Sequence, residues 1–117
     1  MRKLLVLAAV SVTAAALAVP AFAATKTVKV GNTATSDWFI SKAKNHGTVT
    51  AKVGDTIKWV WAGTFPHNVT VKSGPVKFHS KTQKKGSYSE KITKKGTYNI
   101  YCTVHGAAKQ SMKLVVK

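Results

Sequence analysis

The chain predicts an all-β fold, a sandwich or barrel of about seven strands. Two observations lead there. Beyond residue 23, no long apolar stretch repeats with the 3.6-residue period of a helix. Short runs rich in Val, Ile, Thr and aromatic residues instead alternate with Gly, Asn, Ser and Lys turns. Thr27 to Gly31 reads as the first strand. Asn32 to Asn45 reads as irregular, with apolar Trp38-Phe39-Ile40 plugging one end of the core. Gly47 to Val53 is a strand closed by the Gly54-Asp55 turn. Thr56 to Trp61 follows, with Ile57, Trp59 and Trp61 on one face and Lys58 and Val60 on the other. His67 to Lys72 is the next strand, Ser73 to Lys85 a loop-rich crossing, and Gly86 to Ile92 a strand. Lys94-Lys95-Gly96 turns into Thr97 to Cys102, and Ser111 to Val116 closes the sheet.

The first residues read as a targeting segment. Met1-Arg2-Lys3 is a basic start, Leu4 to Val19 an Ala-rich apolar run, and Ala21-Phe22-Ala23 a small-x-small cleavage site after Pro20. The run is shorter than the roughly 20 residues of a membrane span. Residues 1–23 are therefore expected to be a cleaved signal peptide and 24–117 one exported domain, periplasmic or extracellular, with no transmembrane segment in the mature chain. Removing 23 of 117 residues leaves 94, enough for one modest core.

Charge narrows the partners. The mature part holds 17 lysines, no arginine, and only Asp37, Asp55 and Glu90, a net of +14. Specific nucleic-acid readers lean on the bidentate guanidinium, so an all-lysine surface points instead to diffuse attraction toward an acidic partner or an anionic cell surface. Three carboxylates leave no paired acid–base site, and no phosphate loop or Ser-His-Asp set stands out. The chain reads as no enzyme.

One feature carries chemistry. Cys102, the sole cysteine, lies in Tyr101-Cys102-Thr103-Val104-His105, and a second histidine lies in Phe65-Pro66-His67-Asn68-Val69. A single cysteine makes no intramolecular disulfide, and in an oxidising compartment a lone thiol is unusual. One thiolate and two imidazoles form the donor set of a mononuclear copper site that moves single electrons. Strand parity puts Cys102 on the inward row of Tyr98 and Ile100, and His67 on that of Val69 and Val71. Asn68, beside His67, is placed to hydrogen-bond the Cys loop. Pro66 stiffens the approach to His67. His46 and His79 read as surface residues that offer at most an adventitious second copper site.

The stretches Phe65-Pro66-His67-Asn68-Val69 and Gly96-Thr97-Tyr98-Asn99-Ile100-Tyr101-Cys102-Thr103-Val104-His105 resemble the cupredoxin superfamily of small blue copper proteins, nearest the plastocyanin and pseudoazurin group. The resemblance covers nearly all of residues 27–117. It implies a Greek-key β-sandwich of seven to eight strands, one type 1 copper ion cycling between Cu(I) and Cu(II), and His67, Cys102 and His105 as equatorial ligands. The family pattern expects a Met a few residues after the second His, and here the chain departs. A loop of plastocyanin length puts Gln110 in the axial place, with Met112 as the alternative two residues on. An amide oxygen is an accepted weak axial donor. The resulting expectation is a monomeric, exported electron carrier that meets acidic redox proteins transiently. A copper carrier or buffer of the same fold, and a copper-free cationic sandwich that binds anionic polymers, are the competing readings.

Overall fold

A computed structural model describes residues 22–31, 38–40 and 46–117, with backbone alone for 38–40. Among the described residues eight strands run in chain order: β1 Thr25–Val30, β2 Trp38–Ile40, β3 Thr48–Ala51, β4 Thr56–Trp61, β5 Thr70–Ser73, β6 Ser87–Lys91, β7 Gly96–Tyr101 and β8 Ser111–Val116. They form two four-stranded sheets, ordered β2-β1-β4-β6 and β3-β8-β7-β5. Within each sheet one pair is parallel, β1 with β4 and β3 with β8. Chain neighbours on opposite sheets supply the crossings such pairs need. The result is the all-β sandwich expected.

Period-2 patterning explains how the sheets face one another. Ile57, Trp59 and Trp61 on β4 are buried, as are Tyr98 and Ile100 on β7 and Met112, Leu114 and Val116 on β8. Alternate residues Lys58, Thr97 and Lys113 are exposed. Trp59 is the hub, packed against Phe78 and Tyr88 at ring-centroid distances of 6.0 and 5.8 Å. Burying a large apolar side chain contributes about 1.5–3 kcal/mol, so this shared face is the main source of the fold's stability.

Two elements differ from the sequence reading. Trp38–Ile40 is a strand, paired antiparallel with β1 in the register Val30↔Trp38. Three residues are too few to show an alternation, and the edge of β1 supplies the pairing. The proposed plugging role of their side chains lies outside the described residues, as does the targeting segment through residue 21. The second difference concerns His67. Regular β5 begins only at Thr70, and His67 is held by an isolated antiparallel bridge to Gln83. The inward row still holds, because His67, Val69 and Val71 are all buried.

Pairing registers define one pole of the sandwich. Val30 pairs with Trp61, Val60 with Ser87, and Tyr101 with both Thr70 and Ser111. Gly31, Trp61, the start of β6, Cys102 and Gln110 therefore gather at the same end.

Candidate metal centre

Cys102 follows directly on β7 and keeps its inward parity, and it is fully buried. Its N–H donates to the Gln110 carbonyl at 3.2 Å, extending the Tyr101↔Ser111 register by one step. Gln110 is thus level with Cys102, and Met112 with Ile100, one layer deeper. Between them the loop tightens: Gly106 N–H donates to the Cys102 carbonyl at 2.9 Å, and Gln110 N–H to the Gly106 carbonyl at 3.0 Å. Gly106 takes φ +85°, open to glycine without strain. This turn folds His105 back, so that its Nδ1 lies 3.5 Å from Cys102 Sγ.

His67 is fixed from several sides. Its N–H and carbonyl exchange 3.0 Å bonds with Gln83, and Trp61 Nε1 donates to the same carbonyl at 3.2 Å. Nδ1 faces Gln110 Oε1 at 2.9 Å. Among the described residues, Nε2 is buried without a hydrogen-bond partner and faces Gly31, where a Cβ would sit only 2.3 Å away. Burial first, then the neighbouring His105, lower the pKa of His67, while its bond to Gln110 acts the other way. The imidazole is therefore held neutral, the form that binds metal.

The three sequence-expected donors converge. The ligand atoms of His67, Cys102 and His105 lie within 4.8 Å of one another, and the two imidazole centroids are 4.9 Å apart. His67 and Cys102 are buried and His105 half-buried. The two axial candidates separate. Gln110 is fully buried against His67, whereas the Met112 sulfur accepts the Trp59 indole N–H at 3.4 Å within the core. His46 and His79 are exposed and stand outside this cluster.

Asn68 joins the two ligand segments. Its Oδ1 accepts from Thr103 N–H at 3.0 Å and Thr70 Oγ1 at 2.9 Å. Its Nδ2 donates to Thr103 Oγ1 at 2.7 Å and Thr82 Oγ1 at 3.0 Å. One side chain thus ties the residue after His67 to the residue after Cys102. Gly31 was not legible as part of the site, because a glycine ending a strand carries no local sign of a ring packed on it from 36 positions away.

This donor set fits a soft, redox-active ion: a thiol with no disulfide partner, two imidazoles, and a buried amide whose Nε2 has no partner among the described residues. A model of copper-binding proteins, the plastocyanin/azurin family, matches residues 43–117. The chain belongs to this family. Among solved structures it is similar to amicyanin. A Met-to-Gln variant in the Cu(I) state is 28% identical, covering 80% of this chain and 82% of that one with a TM-score of 0.60. A Met-to-Ala variant, also Cu(I), is 27% identical with the same coverage and TM-score. An oxidised Met-to-Leu variant is 27% identical, covering 79% and 81% with a TM-score of 0.59. Family and donor set agree on one copper ion as the cofactor of this cupredoxin.

Proposed function

We propose that this cupredoxin is an exported, single-electron carrier that holds copper at His67, Cys102 and His105, with Gln110 as the weak axial donor. The observation that carries the reading is the convergence of a buried, unpaired thiol and two imidazoles within 4.8 Å. Bound copper supplies the Cu(I)/Cu(II) couple. The protein's part is to keep one geometry that serves both states. Thiolate and imidazole suit both, and Asn68 and Gln83 restrain the segments that present them. Burial of Cys102, His67 and Gln110 keeps water from the donors.

His105, half-buried, is the ligand whose edge reaches the surface, and electrons enter and leave there. Exposed Phe65 and Val104, 43% and 50% accessible, each lie within two residues of a ligand and offer apolar contact for brief docking. An open groove lined by Lys81, Lys84, Lys85, Gln83, Gly86 and Ser87 adjoins the same pole. Gln83 is bridged to His67, so these ammonium groups are carried by the loop that holds a ligand. They suit an acidic redox protein. The basic, apolar N-terminal segment supports export.

The test is direct. One equivalent of Cu(II) added to the purified mature protein is expected to give an intense visible thiolate-to-copper band, absent in Cys102→Ser. A colourless wild-type protein would overturn the copper assignment. A coloured protein that neither accepts nor returns an electron reversibly would overturn the carrier role.

A further inference from the structure

Residues Phe22 and Ala23 are exposed, and among the described residues the chain's ordered bonding starts at Ala24. The Ala24 N–H donates to Asp55 Oδ1 at 2.9 Å, and the Ala24 carbonyl accepts from Thr56 N–H at 2.9 Å. Asp55 is 1% exposed, in the turn before β4. Its Oδ2 accepts from Lys52 N–H at 3.0 Å, and Lys52 Nζ stands 3.5 Å from Oδ1. A buried carboxylate is thus aimed at the backbone nitrogen that follows Ala21-Phe22-Ala23. In the uncleaved chain that nitrogen is a neutral amide. Hydrolysis of the Ala23–Ala24 bond would give the water hydroxyl to the Ala23 carbonyl and leave Ala24 with an α-ammonium.

We propose that Asp55 is the receptor for the new N-terminus, so that removal of residues 1–23 converts an amide–carboxylate hydrogen bond into a half-buried ion pair that locks β1 onto β4. This rests on the export reading. Three facts support it. The bond already has hydrogen-bonding length, so cleavage need not move Ala24. The amide–carboxylate bond already has a charged acceptor, and cleavage adds a charge on the donor, so attraction between unlike charges is added to the hydrogen bond. Asp55 also lies at the pole opposite the copper ligands, where Thr56 pairs with Lys91, so the lock acts on the fold and leaves the metal centre alone.

The ion pair has a pH signature. A free α-amino group titrates at about 7.7–8.0, and Asp55 raises that value in the folded state. The added stability is therefore complete below about pH 7.7 and is lost as pH rises through the raised folded value. Asp55 faces this nitrogen, with Lys52 beside it in the β3–β4 turn; the other charged groups on neighbouring segments are Lys91, paired with Thr56 across β4, and Lys117, whose carbonyl accepts from Val53 N–H. Both chains compared below share these groups, so a difference between them belongs to the α-amino group.

The experiment compares copper-loaded chains spanning residues 24–117 and 22–117. At pH 6.5 the shorter chain is expected to melt about 4–8 °C higher, the response of a domain this size to a roughly fivefold change in folding constant. The gap should close by about pH 10. It should be absent at every pH when residues 24–117 carry an N-acetyl group, which keeps the N–H and removes the charge. Equal melting temperatures at pH 6.5, or a gap that survives acetylation, would overturn the proposal. Mass spectrometry of exported protein provides the separate check on export: a mature N-terminus other than Ala24 would overturn the coupling to processing.

Discussion

Gly31→Ala isolates what holds His67. Gly31 has φ +53°, where a side chain is disfavoured, and its ideal Cβ lies 2.3 Å from His67 Nε2 and 2.9 Å from Cδ2. Ordinary contact begins near 3.4 Å, so the methyl and the ring must part by about 1 Å, an overpacking that costs about 1–3 kcal/mol. The left-handed backbone adds about 1–2 kcal/mol, for a total of about 2–5 kcal/mol. The control is Gly54→Ala. Gly54 has φ +96° but nothing within 4 Å of its Cβ, so it pays only the backbone cost, about 1–2 kcal/mol. Urea unfolding of both apo variants gives the stabilities. The visible spectrum and reduction potential of the copper-loaded forms report the ring. Gly31→Ala is expected to be the less stable variant and to change both spectrum and potential, while Gly54→Ala keeps the wild-type values. If Gly31→Ala shows the stability of the control and an unaltered spectrum, steric seating of His67 by β1 is wrong.

Four further outcomes follow from the same contacts. Asn68→Ala removes four hydrogen bonds and is expected to cost about 2–4 kcal/mol, with slower electron self-exchange measured by NMR; unchanged exchange would remove Asn68 from the restraint of the site. Gln110→Met is expected to raise the reduction potential, whereas Met112→Leu should leave it unchanged and cost about 1–3 kcal/mol, because the buried Trp59 indole N–H loses its sulfur acceptor; the reverse pattern by voltammetry would make Met112 the axial donor. Replacing Lys81, Lys84 and Lys85 by Gln together should slow oxidation of the reduced protein by hexacyanoferrate(III) roughly three- to tenfold at low salt. The same change at Lys91, Lys94 and Lys95, at the opposite pole, should have much less effect, and equal slowing would mean that only net charge matters. The Asp55 pKa is lowered, first by the Ala24 N–H and then by the Lys52 N–H. Its stabilisation is present above about pH 3.9 and is lost as pH falls through the depressed folded value, so the melting-temperature gap between wild type and Asp55→Asn should close in acid.

What the sequence made legible depends on the range of the physics involved. Ile57, Trp59 and Trp61 reveal their shared face because alternation is local, and the same parity placed Cys102 and His67 on inward rows. Parity alone does not rank Gln110 against Met112, since residues two apart share a face and both are buried. Depth separates them in space: Gln110 is level with Cys102, and Met112 one layer down beside Trp59. His67 was read as part of a regular strand because nothing in Pro66-His67-Asn68 announces that its partner is Gln83. Trp38–Ile40 failed as a strand for the same reason, its pairing being supplied by β1. Gly31 lay further out of reach, since its role consists of a missing Cβ that only the packed ring makes meaningful.

The holds on His67 come from four separate parts of the chain: Gly31 after β1, Trp61 on β4, Gln83 in the crossing before β6, and Gln110 before β8. Both sheets therefore converge on one imidazole. Moving it requires displacing a strand end, an indole, a backbone bridge and a buried amide together. Under the proposed function, a ligand so fixed would not follow the shift in preferred geometry between the two copper states, and the cost of rearrangement on electron transfer would stay small. His105 is different. It hangs on the 102–110 loop, half-buried, with Cys102 Sγ as its neighbour at 3.5 Å. The site is thus asymmetric, with one histidine anchored by the sandwich and one presented by a turn. Under the proposed function, electron exchange through His105 would need no movement of the core, because this half-buried histidine is not among the residues that hold the fold together.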